Sequence, residues 1–293
     1  MDKRVEIAII GGSGLSEMEG IRIVDSVTML TPFGAPSDNI TIAEVGGRLV
    51  AFLPRHGRGH RIPPTQVPYA ANIWALKQLG VFWVLTFSAV GSLRQEIAPE
   101  HFCVPDQIID RTRHRRETFF DDLVVHVSFA QPFNAQLRQV LLEACRAEGV
   151  TTHDGGVYVC MEGPAFSTRA ESQMYRAWGG DIIGMTAIPE AKLAMEAEMA
   201  YATVALATDY DCWHESVVTV EEVIRHMERN VSNVHRVIKR VVPLIPLGTE
   251  AQNPASEALK CALTTHASHI LPKHREKYEL LLAKYVDFDG SRR

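Results

Sequence analysis

Seven short runs of apolar and β-branched residues recur along the chain, at Val5–Ile10, Ile40–Val45, Arg48–Leu53, Val81–Phe87, Val157–Met161, Asp181–Met185 and Tyr201–Ala207. Each has the length and make-up of a β-strand. The Gly46-Gly47 pair between the second and third runs is the signal of a two-residue hairpin, which makes that pair antiparallel and the sheet mixed. Between the later strands the apolar spacing becomes helical. Pro68–Leu79 opens on a proline suited to a first helical position and is followed by Gly80, suited to the place just past a helix end. Further helices are predicted over Asn134–Glu148, Thr168–Trp178 and Pro189–Met199. The longest runs over Thr219–Val242, where Val223, Met227, Val231, Val234, Ile238 and Val241 make a core-packing stripe. No repeat, low-complexity tract or Pro/Gly/Ser linker divides this pattern. The expected architecture is a single α/β domain over residues 1–293, with a mixed central β-sheet flanked by helices. Residues 273–293 form a charged tail around Tyr278–Leu282 that is either a terminal helix or partly disordered.

Composition narrows the partners. A chain of 293 residues that is 46% hydrophobic can bury a large core. Its formal net charge of -5 argues against a nucleic-acid partner, because backbone binding depends on clustered Lys and Arg. Cys103, Cys145, Cys160, Cys212 and Cys261 are scattered and never spaced as CxxC, so neither a disulfide framework nor a zinc site is expected, and a reducing cytoplasm fits. Met1–Ile10 alternates charged with apolar residues, and no apolar run approaches the roughly 20 residues of a membrane span. Neither a signal peptide nor a membrane association is expected.

Chemistry gathers at strand ends. Gly11-Gly12-Ser13-Gly14 closes the first strand; it lacks the third glycine of a dinucleotide fingerprint and the Lys of a P-loop, and by itself reads either as a plain tight turn or as an anion-accepting one. Pro54–Arg61 carries Arg55, Arg58, Arg61, His56 and His60 in a glycine-rich stretch, which suits phosphate as well as it suits a solvated basic loop. The neighbouring arginines disfavour a metal at the two histidines. Ser88-Ala89-Val90-Gly91-Ser92 is a third small-residue turn after a strand, and ligands of open α/β sheets collect beyond carboxyl ends of strands. Glu162–Ser167, with Phe166 able to stack on a flat ring or to pack in the core, and Thr186 follow two further strands. Asp209 and Asp211, two residues apart past the last strand, are either a solvated acidic turn or a pair in which like charge raises the pKa of one.

Taken together, IGGSGL, TPFGAPSD, PRHGRGH, YAANIWALK, AVGSLR, MEGPAFSTRAES, MTAIPEAKLAMEA and ATDYDCW, in this order between Val5 and Pro272, resemble the trimeric purine nucleoside phosphorylase family, and within it the branch that cleaves methylthioadenosine. The resemblance implies phosphate held by Ser13, Arg55, His56, Ser88, Ala89 and Thr186. It implies a purine nucleoside against Phe166, Ser167 and Met185. Asp209 and Asp211 match the acids that read the base, whereas 6-oxopurine enzymes carry asparagine at the first of these positions and glutamate where Ser167 stands. Val220 matches a small apolar position beside the 5'-substituent. His126 and Ile270 match positions that reach a neighbouring subunit's site, which implies a homotrimer.

The implied reaction is phosphorolysis of 5'-methylthioadenosine to adenine and 5-methylthioribose 1-phosphate. Inorganic phosphate is the co-substrate, no metal or organic cofactor is needed, and Asp209 is the catalytic acid at the departing purine, its proton affinity raised by Asp211 and by burial beneath the purine. A phosphorylase for methylthioinosine or other 6-oxopurine nucleosides would share the phosphate site. A hydrolytic nucleosidase would ignore phosphate, and a nucleoside-binding protein would release no base.

Overall fold

The computed structural model describes residues 5–16, 18–214 and 220–288. Its strands are β1 (Ile7–Gly11), β2 (Arg22–Val27), β3 (Ile40–Val45), β4 (Arg48–Pro54), β5 (Trp83–Ser92) and β6 (Phe102–Val104), followed by β7 (Gln107–Arg111), β8 (Thr152–Asp154), β9 (Val157–Met161), β10 (Ile182–Gly184) and β11 (Ala200–Asp209). The helices are α1 (Tyr69–Gln78), α2 (Ala135–Ala147), α3 (Arg169–Ala177), α4 (Ala187–Glu196), α5 (Val220–Leu244) and α6 (Arg275–Leu282).

All eleven strands join one sheet, ordered β2-β3-β4-β1-β5-β10-β9-β7, with β11, β6 and β8 branching from the other edge of β5. The sheet is mixed, as the sequence requires. β1 runs parallel to β4 and β5, whereas β3 and β4 are antiparallel across Gly46 and Gly47, whose φ values of 56° and 80° are those a tight hairpin turn demands. Along β1, Ala8 and Ile10 enter one core and Ile7 and Ile9 the other, because successive side chains of a strand point to opposite faces. The first core is closed by α1, α4 and α6, the second by α2 and α5.

Differences from the sequence reading have local causes. Strand β2 was not expected; it is an edge strand, RIVDSV, exposed along most of its length and without a buried apolar face. β6 and β8 have three residues each, too few to show a period, and β7 is a half-buried QIIDR. Pro68 caps α1 from outside with ψ 64° rather than serving as its first helical residue. Helix α4 begins two residues before the expected Pro189, with a break at Ile188. The tail resolves as α6, with Tyr278 and Leu282 buried in the first core; 289–293 lie outside the described residues. No helix among the described residues is long and apolar enough to cross a membrane.

Candidate active site

The site begins as a gap in the middle of the sheet. On one edge, β5 pairs with β1 from Trp83 to Thr86, then with the antiparallel β10 at Gly91 and Ser92. Between these partners Phe87–Val90 have no strand neighbour on that edge, although β11 follows β5 on the other edge throughout. A change of strand partner of this kind opens a crevice at the strand ends. Ala89 is the exposed residue in an otherwise buried stretch, Trp83–Val90, and Ser88 beside it is buried. The ends of β1, β4 and β10 deliver the Gly11–Gly14 turn, Arg55 and Thr186 to the same opening.

Arg55 is almost fully buried, and its place is fixed from three sides. Its backbone N–H donates to Gly11 O at 2.9 Å, Nη1 to Phe87 O at 3.1 Å, and Nε and Nη2 form a fork onto Glu190 of α4 at 2.8 Å each. Glu190 is fully buried and also accepts from Tyr201 Oη at 3.0 Å. Such a pair resists the desolvation cost only because every member is bonded, so removing either partner leaves a buried charge exposed to that cost. One N–H on each of Nη1 and Nη2 is left over for a ligand. Arg58 and Arg61, by contrast, turn outward to Asp38, Thr41 and Ser37, so the basic loop is part anion cradle and part surface.

His56 follows Arg55 and is held in a defined state. Its Nδ1 lies 2.9 Å from Ile62 O, and a carbonyl can only accept, so Nδ1 carries the proton and Nε2 is a bare acceptor. Burial first, and then the Arg55 charge, push the ring's pKa down to about 4. The imidazole is therefore an acceptor at Nε2, and its ring stacks on His60 at 4.4 Å between centroids. Thr186, buried, precedes α4 and makes no capping bond with its hydroxyl. Ser13 opens a short 3-10 turn over Ser13–Ser16, tied to α5 by His235 Nε2 and Gly14 O at 3.1 Å; the side chains of Ser13 and Val220 lie outside the described residues.

At the far end of β5 the ladder with β11 slips between Ala207 and Asp209, a bulge that redirects Asp209 opposite Gly91. A Cβ on Gly91 would stand 3.0 Å from Asp209 Oδ1, so glycine leaves room for the carboxyl. Asp211 adopts φ 50°, which folds its N–H back onto Asp209 Oδ1 at 2.7 Å. Thr208 Oγ1 lies 2.8 Å from Asp209 Oδ2 and 3.2 Å from Val90 O. Burial raises the pKa of Asp209 against the opposing bonds from Thr208 and Asp211. The direction and the part played by burial match the sequence reading; a like-charge contribution from Asp211 is not among the causes. Like-charge repulsion acts on Asp211, whose pKa is raised by burial first and by Asp209 to a lesser degree.

The base-side candidates divide. Ser167 is buried, with its carbonyl 3.2 Å from Cys212 Sγ, which puts it beside the Asp209–Asp211 turn. Met185 packs so closely on Gly163 that a Cβ there would meet its Sδ at 2.4 Å. Phe166 is 63% exposed, an unusual state for a large apolar ring. His126 is held elsewhere, its N–H donating to Ala262 O at 2.9 Å, and Ile270 packs against the first core. Among the described residues neither has a bond to the other candidates. His126 lines a separate cavity of ≈ 680 Å³ with Phe133, Met195, Met199, Tyr201 and Cys261.

Two residues that the sequence did not single out hold the site together. Glu190 is one; a Glu inside a helical pattern reads as a solvated face, and the signal available was its place among the buried Ile188 and Ala191. The other is Arg115, whose guanidinium is 1% exposed and donates to Met185 O and Ile188 O at 2.7 Å and to Glu162 O at 2.6 Å. It fixes the backbone on both sides of Thr186. Among the described residues, no group of three His, Cys, Asp or Glu side chains is placed to share a metal ion.

Residues 6–243 match the model of the phosphorylase superfamily. The chain belongs to that family. It is 50% identical over 284 residues to the S-methyl-5'-thioadenosine phosphorylase of Geobacter sulfurreducens, covering 96% of this chain and 99% of that one. With the protein of the same name from Synechocystis the identity is 52% over 289 residues, covering 95% and 87%. Among solved structures, a methylthioadenosine phosphorylase from an Antarctic soil metagenomic library superposes with a TM-score of 0.91 at 45% identity, covering 96% of this chain and all of that one. The methylthioadenosine phosphorylase from Schistosoma mansoni in complex with adenine gives 0.83 at 34% identity, covering 89% and 99%.

Proposed function

We propose that this chain catalyses the phosphorolysis of 5'-methylthioadenosine, giving adenine and 5-methylthioribose 1-phosphate. The observation that carries the reading is that β5 joins two chemically distinct stretches, the gap at Phe87–Val90 beside the buried Arg55 and the buried Asp209, whose pKa burial raises. The relatives' shared name supports the choice of nucleoside. In the reaction, a phosphate oxygen attacks the ribose carbon and the carbon–nitrogen bond to the purine breaks, with positive charge building on the sugar between them. Arg55, Ser88, Ala89 and Thr186 hold the phosphate, and His56 Nε2 accepts its remaining P–OH proton.

Asp209 protonates the leaving purine at nitrogen 7. Thr208 supports the transfer because its single hydroxyl proton has two acceptors in reach. It rests on Val90 O while Asp209 is neutral and turns to Oδ2 once the carboxylate has formed. Asp211 and Ser167 face the 6-amino edge, and Phe166 and Met185 cover the base and ribose. His126, Ile270 and Val220 enclose the 5'-methylthio group in a cytoplasmic homotrimer, the first two from a neighbouring subunit. Phosphate is the co-substrate, and no metal or organic cofactor enters these steps. The test is base release from methylthioadenosine, adenosine, methylthioinosine and inosine, each with and without phosphate. Methylthioadenosine should be the best substrate and release should require phosphate; equal turnover without phosphate would remove the reading.

A further inference from the structure

Tyr158, on β9, ends in a hydroxyl that the site described above does not use. The residue is fully buried, and its Oη has no hydrogen-bond partner of good geometry among the described residues. A buried hydroxyl without a partner is costly, and phenylalanine would fill the same space without that cost. The surroundings show where the hydroxyl points. Ile182 of β10 is the register partner of Tyr158, and the ring reaches along the sheet to Gly184, where a Cβ would stand 2.0 Å from Oη and 2.7 Å from Cζ. Glycine at 184 is therefore what lets the hydroxyl occupy its place. Beyond Gly184 it meets the hydroxyls of Ser88 and Thr186, with the Arg55 charge also acting on it. Two of the proposed phosphate ligands, from two different elements, thus have one buried hydroxyl behind them, with a single proton to give.

The chemistry of an oxyanion explains the arrangement. Phosphate oxygens accept, so Ser88 and Thr186 must each turn their single proton toward the anion, and a hydroxyl does so most readily when its own lone pairs accept from behind. We propose that Tyr158 is a positioning residue of the anion subsite, its single proton donated to one of the Ser88 and Thr186 hydroxyls, whose own proton is thereby aimed at bound phosphate. This rests on the phosphorolytic reading for the identity of the anion. Tyr158 touches neither substrate.

The test is Tyr158→Phe, which keeps the shape and removes the donor. Phosphate binding is measured by calorimetry without nucleoside, alongside steady-state kinetics and thermal denaturation. The expected result is phosphate affinity and phosphate KM weakened about fivefold to tenfold, the loss of a single hydrogen bond's worth of binding. Nucleoside KM should stay within about twofold, and Tm should be unchanged or higher. In a Ser88→Ala/Thr186→Val background the same substitution should add nothing. Unchanged phosphate affinity, or a parallel loss for phosphate and nucleoside with a lower Tm, would overturn the proposal. So would an undiminished effect in the double-variant background. Wild-type enzyme that binds phosphate yet turns nucleoside over without it would remove the phosphorolytic reading while leaving the Tyr158 comparison intact.

Discussion

Asp209 shows how one side chain can be held ready to give up a proton. Its carboxyl is largely buried, opposite a glycine, with a hydroxyl and an amide N–H as its polar neighbours, and burial prevails over those bonds in raising its pKa. The folded protein therefore keeps this proton to higher pH than the unfolded chain does. Ionisation weakens the fold as pH rises past the unfolded value, and the acid form, which the reaction needs, is lost as pH rises through the raised one. Asp209→Asn separates the two effects. The amide can donate to Thr208 Oγ1 and accept from Asp211 N–H, so the turn survives. Turnover of methylthioadenosine should fall about 10²–10⁴-fold, the range of a general acid, while Tm at pH 7 holds or increases. Steady-state rates and melting curves across pH check this; wild-type turnover and preference on methylthioadenosine and inosine would show that Asp209 is not the proton donor. Asp209 could be singled out from sequence because two carboxylates past a strand end are conspicuous. The raised proton affinity was expected from the pair and from burial, whereas the folded-back Asp211 N–H that opposes it is a property of the turn and could not be read there.

At the scale of elements, the site is built by strands changing partners, and that is where sequence reading loses reach. The runs that became β1, β3, β4, β5, β9, β10 and β11 are legible because their buried faces impose an apolar pattern. The gap at Phe87–Val90 is not, since it depends on β10 arriving antiparallel from almost a hundred residues later in the chain. Arg55 was visible in its glycine-rich loop, whereas Glu190 was hidden by looking like an ordinary helix glutamate. A second glutamate of α4 behaves comparably and links the helix to the loop carrying Arg115. Glu196 is buried and accepts from Phe119 N–H and Thr118 Oγ1 at 2.7 Å each, and burial pushes its pKa up to about 7 against those bonds. Between its ordinary 4.5 and about 7 the folded state binds more protons than the unfolded, so stability falls as pH rises across that window. Glu196→Gln keeps both contacts, since a glutamine can accept from the N–H and donate to the hydroxyl. It should stabilise the protein by about 2–3 kcal/mol at pH 8 and by almost nothing at pH 4. Urea denaturation at the two pH values decides it, and an equal effect at both would show that folding leaves the proton affinity of this carboxyl unchanged.

The whole molecule bears on His126, whose role was legible only through family resemblance. His126 sits on a stretch clasped from both sides: Val125 bridges to Leu263, Val124 N–H donates to Thr265 Oγ1, and α6 closes over the segment before it through Lys277 on Asp121 and Tyr278 on Phe120. The tail that had no functional account in the sequence thus braces the segment leading to His126. Val124, two residues before it, and Leu271, next to Ile270, are exposed apolar side chains. Within the chain, and among the described residues, His126 makes no bond to Asp209, Arg55 or Thr186. Under the proposed function His126 serves a neighbouring subunit's site. In a cyclic trimer each site would then combine Asp209 of one subunit with His126 of the next. That arrangement predicts complementation. Asp209→Asn homotrimers lack the acid at every site, and His126→Ala homotrimers bind methylthioadenosine weakly at every site. When the two are dissociated together and reassembled, about one site in four by random assortment regains both groups. At nucleoside concentrations well below the KM of the His126→Ala enzyme, the mixed trimers should turn over faster than either parent, and the gain should vanish when the parents are mixed without subunit exchange. Reassembled mixtures, shown by mass to contain both chains, that give only the average of the two parents would place His126 outside the neighbour's site.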